Sequence, residues 1–392
     1  MDTTLKITTS LFLLISPLIG AEPIECETCS YTHCVGPDET AVHPPINPRT
    51  CKGDFVIELA GFYWRAEQEG MEYAIKNHLT GSLTSTGNPE LNNLIDAEYL
   101  TPSFSWEFGF RLGLGYNSAC DGWDLRGIWT TFRQSSSGHD EAEADDNQSL
   151  TPLWSSFQYP LAEDAPVLLA TDIDTDWKLH LDLLDFELGR AAWNSHRLAL
   201  RPHIGLRLCE IKEFFDIEYN GGSWNSPAAA TNFTDWVELT STYKGIGIRS
   251  GVDSTWKLPC GFALFGETAI SIIYGRFQVD HLEYFRDVTA PFTKTRYFDT
   301  EDRFRASRAT MDLLFGVEWS ALFCECRYGF IISLAWEQHL FFHQNPFWRV
   351  ERVGGENDIT MLPYNDTGEN VFNQREGSLS MEGWTLRAKF EF

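Results

Sequence analysis

Three sets of residues in this chain have the types and spacing that chemistry needs. The first is acidic: Asp140, Glu141, Glu143, Asp145 and Asp146 follow His139 in one short stretch. Carboxylates so crowded repel one another and demand either solvent or a cation. Their spacing matches no calcium loop, so a solvated extracellular loop is expected ahead of a divalent-cation site. The second set is the nine cysteines. Cys26 and Cys29 with His33, Cys34 and Cys51 offer thiolate and imidazole donors, yet the second pair lacks zinc-finger spacing. Disulfides or free thiols therefore stand ahead of a metal, with Cys26, Cys29, Cys34, Cys51, Cys324 and Cys326 as the disulfide candidates. An odd number leaves at least one sulfur as an unpaired thiol or a cross-link to a neighbour. The third set is histidine: His339 and His343 fall on one face of an expected strand end, where interfacial or loop histidines outnumber metal ligands. The remaining Ser, His and Asp residues show no spacing that singles out a catalytic triad. The sequence thus assigns no catalytic residue, no metal and no cofactor.

The element that must carry such residues is plainest at the end of the chain, E-G-W-T-L-R-A-K-F-E-F. Trp384, Leu386, Ala388, Phe390 and Phe392 alternate with Gly383, Thr385, Arg387, Lys389 and Glu391, which is the period of a strand with one apolar and one charged face. A soluble edge strand is normally short or blunted with charge. A transmembrane barrel instead gives the apolar face lipid and the polar face a wet lumen. Trp384, Leu386, Phe390 and Phe392 also resemble the insertion signal that bacterial outer-membrane barrels present to their assembly machinery.

Residues 1–21 have the form of a secretory signal, with Lys6 before an apolar core too short to span a bilayer and Gly20-Ala21 for cleavage. Residues 22–53 follow as a Cys- and Pro-rich periplasmic or lumenal leader, since Pro23, Pro37, Pro44, Pro45 and Pro48 forbid a continuous ladder. Residues 54–392 are then the barrel. No later run is apolar and long enough for a spanning helix, which leaves an exported chain either soluble or in a barrel. Aromatics at 14% with a mean hydropathy of only −0.25 suit apolar residues dispersed in alternation. The formal charge of −26 argues against a nucleic-acid partner.

Strands are expected at 55–64 and 71–76, joined as a first hairpin, and after a loop with a short helix beyond Asn88-Pro89 at 104–116 and 123–132. Further strands follow at 177–190, with a phase slip near Leu183-Leu184 that suggests a bulge, and at 197–209, 245–257, 262–274, 307–319 and 328–336. The fold class is all-β, a closed antiparallel transmembrane β-barrel of about 12 strands within a range of roughly 10 to 16. Alternation puts Glu107, Arg111, Arg197, Arg201, His203, Arg207, Arg249, Asp253, Arg387 and Lys389 on the lumen face. Opposite charges there can set a transverse field across a water-filled channel.

Several blocks in order carry a family resemblance: F-Y-W-R-A-E-Q-E-G-M-E-Y-A (62–74), S-W-E-F-G-F-R-L-G-L-G-Y (105–116), D-G-W-D-L (121–125), H-I-G-L-R (203–207), G-I-G-I-R-S-G-V-D-S-T-W (245–256), C-G-F-A-L-F-G (260–266) and W-E-Q-H-L-F-F (336–342). The chain resembles the Legionella-type pore-forming outer membrane proteins, which include major-outer-membrane-protein-like porins of chlamydia-related bacteria. The resemblance implies a porin of the bacterial outer membrane, passing ions and small hydrophilic solutes. It further implies lipid and the assembly machinery as partners, with homo-oligomers or disulfide-linked envelope proteins beside them. A structural or adhesive barrel with a plugged lumen is the rival, because pore radius depends on strand number, shear and loop folding. A barrel enzyme stands third, since no H-x-S-N-G-like phospholipase stretch occurs.

Overall fold

The computed structural model describes residues 53–78, 97–118, 122–142, 148–155, 168–194, 197–223, 233–287, 294–324, 328–353 and 369–392. The expected signal, the leader with its four cysteines, the short helix after Asn88, and Glu143, Asp145, Asp146, Cys120 and Cys326 lie outside them. The strands are β1 (Asp54–Gln68), β2 (Ala74–His78), β3 (Glu98–Leu100), β4 (Trp106–Asn117), β5 (Trp123–Glu141), β6 (Gln148–Pro152), β7 (Leu168–Arg190), β8 (Trp193–Asn194), β9 (Leu198–Ser223), β10 (Phe233–Lys257), β11 (Phe262–Asp287), β12 (Lys294–Phe323), β13 (Tyr328–Phe341), β14 (Trp348–Val353), β15 (Glu369–Gln374) and β16 (Leu379–Glu391).

Ten of them form a ring in the order β1, β4, β5, β7, β9, β10, β11, β12, β13, β16, and each neighbour is antiparallel. The ring closes where β16 meets β1, from Val56 opposite Glu391 to Gln68 opposite Leu379. Beyond that ladder Phe392 N–H donates to the Phe55 carbonyl at 3.0 Å and its own carbonyl accepts from Phe55 N–H at 2.8 Å. Closure leaves the ring no strand edge in lipid, which is the condition for strands to cross a bilayer. The expected strand total of about 12 divides differently. Ten make the barrel, β2, β3, β6 and β8 extend the sheet beside it, and β14 pairs with β15 as a separate hairpin. The expected first hairpin is not formed. β1 pairs with β4 and β16, and β2 pairs with β3 and β6, because Met71, Tyr73, Ala74 and Ile75 turn into the interior instead of back along β1.

Along each wall strand the side-chain parity is constant while the polarity inverts. In β10, Ile246, Ile248, Val252 and Trp256 point outward and are exposed, and Arg249 and Asp253 point inward. Toward the other end of the same strand the inward residues become Val237, Leu239 and Tyr243, all buried, and the outward ones Glu238, Thr240 and Thr242. The first half has an apolar outer face and a charged inner one; the second has a polar outer face and an apolar inner one. This inversion is why the expected strands stop short. β9 to β12 run 25 to 30 residues, about double the length a bilayer demands. The slip expected near Leu183 is absent too: Leu183 is inward and Leu184 outward in an unbroken β7, at the level where apolar interior and lipid overlap. The irregularity of β7 lies instead between Ala170 and Asp172.

The lipid face makes a direct prediction. Ile248→Arg, at a residue 61% exposed in the apolar band, should cost about 2–4 kcal/mol in denaturant unfolding from bilayers, whereas Lys244→Ala, two repeats of the pleat above it on the same face, should change stability by less than about 1 kcal/mol.

Candidate functional site

The inward faces of the membrane-level strands hold a lattice of ion pairs. Arg201 on β9 reaches Asp124 on β5 through Nε at 2.7 Å and Nη2 at 2.5 Å, and its Nη1 donates to Asp253 on β10 at 2.6 Å. A Cβ at Gly189 would lie 2.4 Å from that guanidinium, so glycine there lets Arg201 cross β7. One layer deeper, Arg207 grips Asp185 with Nε at 2.7 Å and Nη2 at 2.8 Å, and its Nη1 lies 2.9 Å from Asp312 on β12. Arg249 joins Glu187 at 3.2 Å and also contacts Asp312. Arg111 forks onto Glu337 at 3.0 and 2.9 Å, and Arg387 reaches Glu267 at 2.7 Å and Glu58 at 3.9 Å. His339 lies between Asp312, 2.7 Å from Nδ1, and Glu337, 3.1 Å from Nε2. Lys389 pairs with Glu391 at 3.2 Å. His203 approaches Glu187 at 3.6 Å and Asp253 at 3.5 Å without hydrogen-bonding either.

With Arg126, 3.4 Å from Asp124, these pairs join nine carboxylates to seven Arg or Lys and two His, so the lattice is close to neutral. Forked Arg–carboxylate pairs are the strongest of such contacts, and burial makes each partner depend on the other. Below the lattice a chamber of 510 Å³ reaches the end of the barrel with the short turns, lined by Asp124, Arg126, Arg201, Asp253, Lys389 and Glu391 among others. Within the lattice the free space narrows to 60 Å³.

The other half of the interior is filled. Trp64, Phe132, Trp154, Trp177, Phe215 and Phe347 are among its fully buried rings. The segments around 69–75, 150–155 and 344–349 are lashed together by Trp154 Nε1 to the Glu72 carbonyl at 2.8 Å, Asn345 Nδ2 to the Glu69 carbonyl at 2.9 Å and Arg349 Nε to the Leu153 carbonyl at 2.9 Å. Tyr219 on β9 fastens this plug to the wall, its hydroxyl donating to the Tyr73 carbonyl at 2.8 Å.

A barrel with this interior can be set beside known proteins. The model of the family described as Legionella pneumophila major outer membrane protein precursor matches residues 48–392. The chain belongs to that family. It is accordingly an outer-membrane β-barrel protein, as the resemblance implied. Among curated proteins none matches. Of solved structures, the outer membrane protease OmpT from Escherichia coli aligns over 86% of this chain and 96% of its own, at 7% identity and a TM-score of 0.35. A FadL homologue from Pseudomonas aeruginosa aligns over 90% and 95%, at 9% identity and 0.28. Neither, at such scores, bears on what this chain does.

For this family member, Arg111, Arg201, His203, Arg207, Arg249, Asp253, Arg387 and Lys389 line the interior. Glu107 is half-buried beside them, and Arg197 is exposed at the turn before β9. Their carboxylate partners Glu58, Asp124, Asp185, Glu187, Glu267, Asp312, Glu337 and Glu391 were not foreseen. Of the acidic stretch, Asp140 and Glu141 continue β5 rather than open a loop, because the strand pairs with β7 and a histidine offsets the charge. His139 contacts Asp174 at 2.8 Å and Glu141 at 3.2 Å, which raise its pKa, while Asp140 accepts from the Tyr73 hydroxyl on the inner side. His339 and His343 part company: His339 is in the lattice, and His343 is exposed at a left-handed turn with φ of 52°. Cys209 is buried and free, and Cys260 and Cys324 are exposed and free; among the described residues no disulfide forms.

Two expectations follow. Arg207→Ala leaves Asp185 and Asp312 short of a cation and should cost about 3–5 kcal/mol in unfolding, whereas Arg207→Met combined with Asp185→Leu should cost less than the sum of the single changes. On the inner face of β9, toward the plug, Glu213 is 1% exposed with neither carboxylate oxygen hydrogen-bonded, and burial pushes its carboxyl from 4.5 up to about 8. It lies above the membrane band, at the level where Glu210 pairs with Lys212 and Lys244 on the outer surface. The folded state holds this proton where the unfolded chain has lost it. Its contribution is therefore full below about pH 4.5 and declines as pH rises through about 8, by up to about 1.4 kcal/mol per unit. Glu213→Gln should flatten the stability profile between pH 5 and 8, and an unchanged slope would show that the carboxyl is ionised in place.

Proposed function

We propose that this outer-membrane protein is a channel for ions and small hydrophilic solutes that its own plug holds closed at rest. The observation that carries the reading is the charged wall, with both signs facing a 510 Å³ chamber at one end of the bore. A barrel selected only for rigidity gains little from such a wall, since apolar side chains of the same volume stabilise as well, and the plug half of this interior uses them. Buried charges of both signs keep water in the lower bore and lower the cost of an ion entering it. The passage requires the inward segments around 69–75, 150–155 and 344–349 to shift. On this reading the passage calls on no catalytic residue and no cofactor.

The apolar plug supports a second reading, a structural barrel closed for good. Planar-bilayer recording separates the two. The wild-type protein should give rare, small openings, and Trp154→Ala or Phe347→Ala, which open cavities in the plug, should raise the open probability at least tenfold. In the opened variants Arg201→Gln should shift the reversal potential, while neutralising Glu141, exposed on β5 eleven residues beyond Thr130 of the lattice, should matter only at low salt, where its charge is screened least. Silence from wild type and both plug variants in a properly inserted barrel would leave the closed structural barrel.

A further inference from the structure

A second cavity lies at the opposite mouth from the short turns and shares no lining residue with the charged bore. It is a cleft of 340 Å³ between the inner face of β10, β11 and β12 and the hairpin β14–β15. Its walls are Leu239, Val279, Phe298, Phe347, Trp348 and Phe372. Phe298 on the barrel wall and Phe372 on the hairpin face each other at 6.4 Å and 22°. The polar lining is His281, Thr300, Glu301 and Asp302; Glu301 is exposed and pairs with Arg303 on the outer side, which leaves Asp302 as the carboxylate turned to the cleft. His281 is 4% exposed, and its Nε2, 2.9 Å from Glu283, makes no hydrogen bond of acceptable geometry. Asp302 accepts from Trp348 Nε1 at 3.3 Å and, as a carboxylate, has acceptor capacity left. The pairing of β11 with β12 shifts at Glu283/Tyr284, beside this cleft, and bulges of that kind re-aim side chains next to sites.

We infer that this cleft binds a small aromatic amine. Its volume is in the range of small-molecule pockets, with apolar walls and a few convergent polar groups. The ring lies against Phe298 and Phe372, and the ammonium turns toward Asp302 and the aromatic faces, which attract a cation. An anion of the same shape meets the Asp302 carboxylate and is refused. The inference is independent of whether the bore conducts.

Tyramine is the probe, measured by titration calorimetry against the full chain in lipid nanodiscs, with empty nanodiscs as the blank. One tyramine should bind per chain, saturably, and 4-hydroxyphenylacetate, with a like ring and a negative charge, at least tenfold more weakly. Leu239→Trp, which fills the cleft, should weaken tyramine binding at least tenfold, and Asp302→Asn at least fivefold. Should Leu239→Trp lose its folded, heat-modifiable band, Phe372→Ala at the partly exposed hairpin serves instead, with a loss of threefold or more. Equal binding of amine and acid, uptake no greater than in empty nanodiscs, or full affinity in the folded variants would overturn the assignment.

Discussion

A backbone that crosses lipid must pair every N–H and C=O within itself, and the ten-strand ring closed by β1 and β16 meets that demand. The same closure fixes the width of the bore. Eight strands enclose a space that side chains just fill, and open aqueous channels belong to rings of sixteen or more. Ten strands sit near the filled end of that range. The interior therefore has to be occupied, and the chain occupies it in two ways, with a charge lattice at membrane level and an apolar plug beyond it. Everything that distinguishes this barrel follows from where those two fillings meet.

The lattice has a particular cost structure. Each ion removed from water loses several kcal/mol of hydration, which only close and multiple contacts recover. That accounts for the sharing: Asp312 takes Arg207, Arg249 and His339 at once, and Asp253 takes Arg201 and lies 3.9 Å from Arg126. Most partners come from different strands, so sliding β9, β10 or β12 unpairs several ions at once. Register, which period-two side chains leave open to a slip of two, is locked by the interior.

Sequence pattern made the membrane half of this fold legible and hid the rest, for a physical reason. Alternation with apolar residues outward is visible because lipid demands it residue by residue, and it located Arg111, Arg201, Arg207 and Arg249 on the inner face. The carboxylate half of the lattice was lost where that signal blurs. Asp185 lies in L-D-L-L-D-F-E, where apolar residues on both faces imitate a phase slip. Glu337 and His339 follow Trp336, at which lipid contact ends although β13 runs to Phe341. The plug was invisible because it reverses the code, with Leu239 and Tyr243 inward and Thr240 and Thr242 outward. Its segments also come from distant parts of the chain, and nothing local to 71–75 states that it will meet 150–155 and 347 rather than return along β1. Of the expected strands only 71–76 lies outside the ring, and the even number that a closed single-chain barrel favours took the total to about 12.

The two fillings are not independent, because Trp64 belongs to both. Its indole Nε1 donates to Thr385 on β16 at 3.1 Å, and within the apolar cluster its ring stacks on Phe62 at 3.6 Å between centroids and lies 5.7 Å from Phe132. On the lattice side the ring of His339 is 4.7 Å away, and the Arg111 guanidinium lies 5.8 Å over the indole. A displacement of the plug that tilts this indole therefore alters the surroundings of His339 and Arg111, and through them of Glu337, which both residues hold. An ion arriving in the narrow space of the lattice perturbs the same residues from below. Plug position and lattice charge thus share one contact point, and each biases the other by the free energy that the Trp64 contacts contribute, since linkage between two sites is reciprocal.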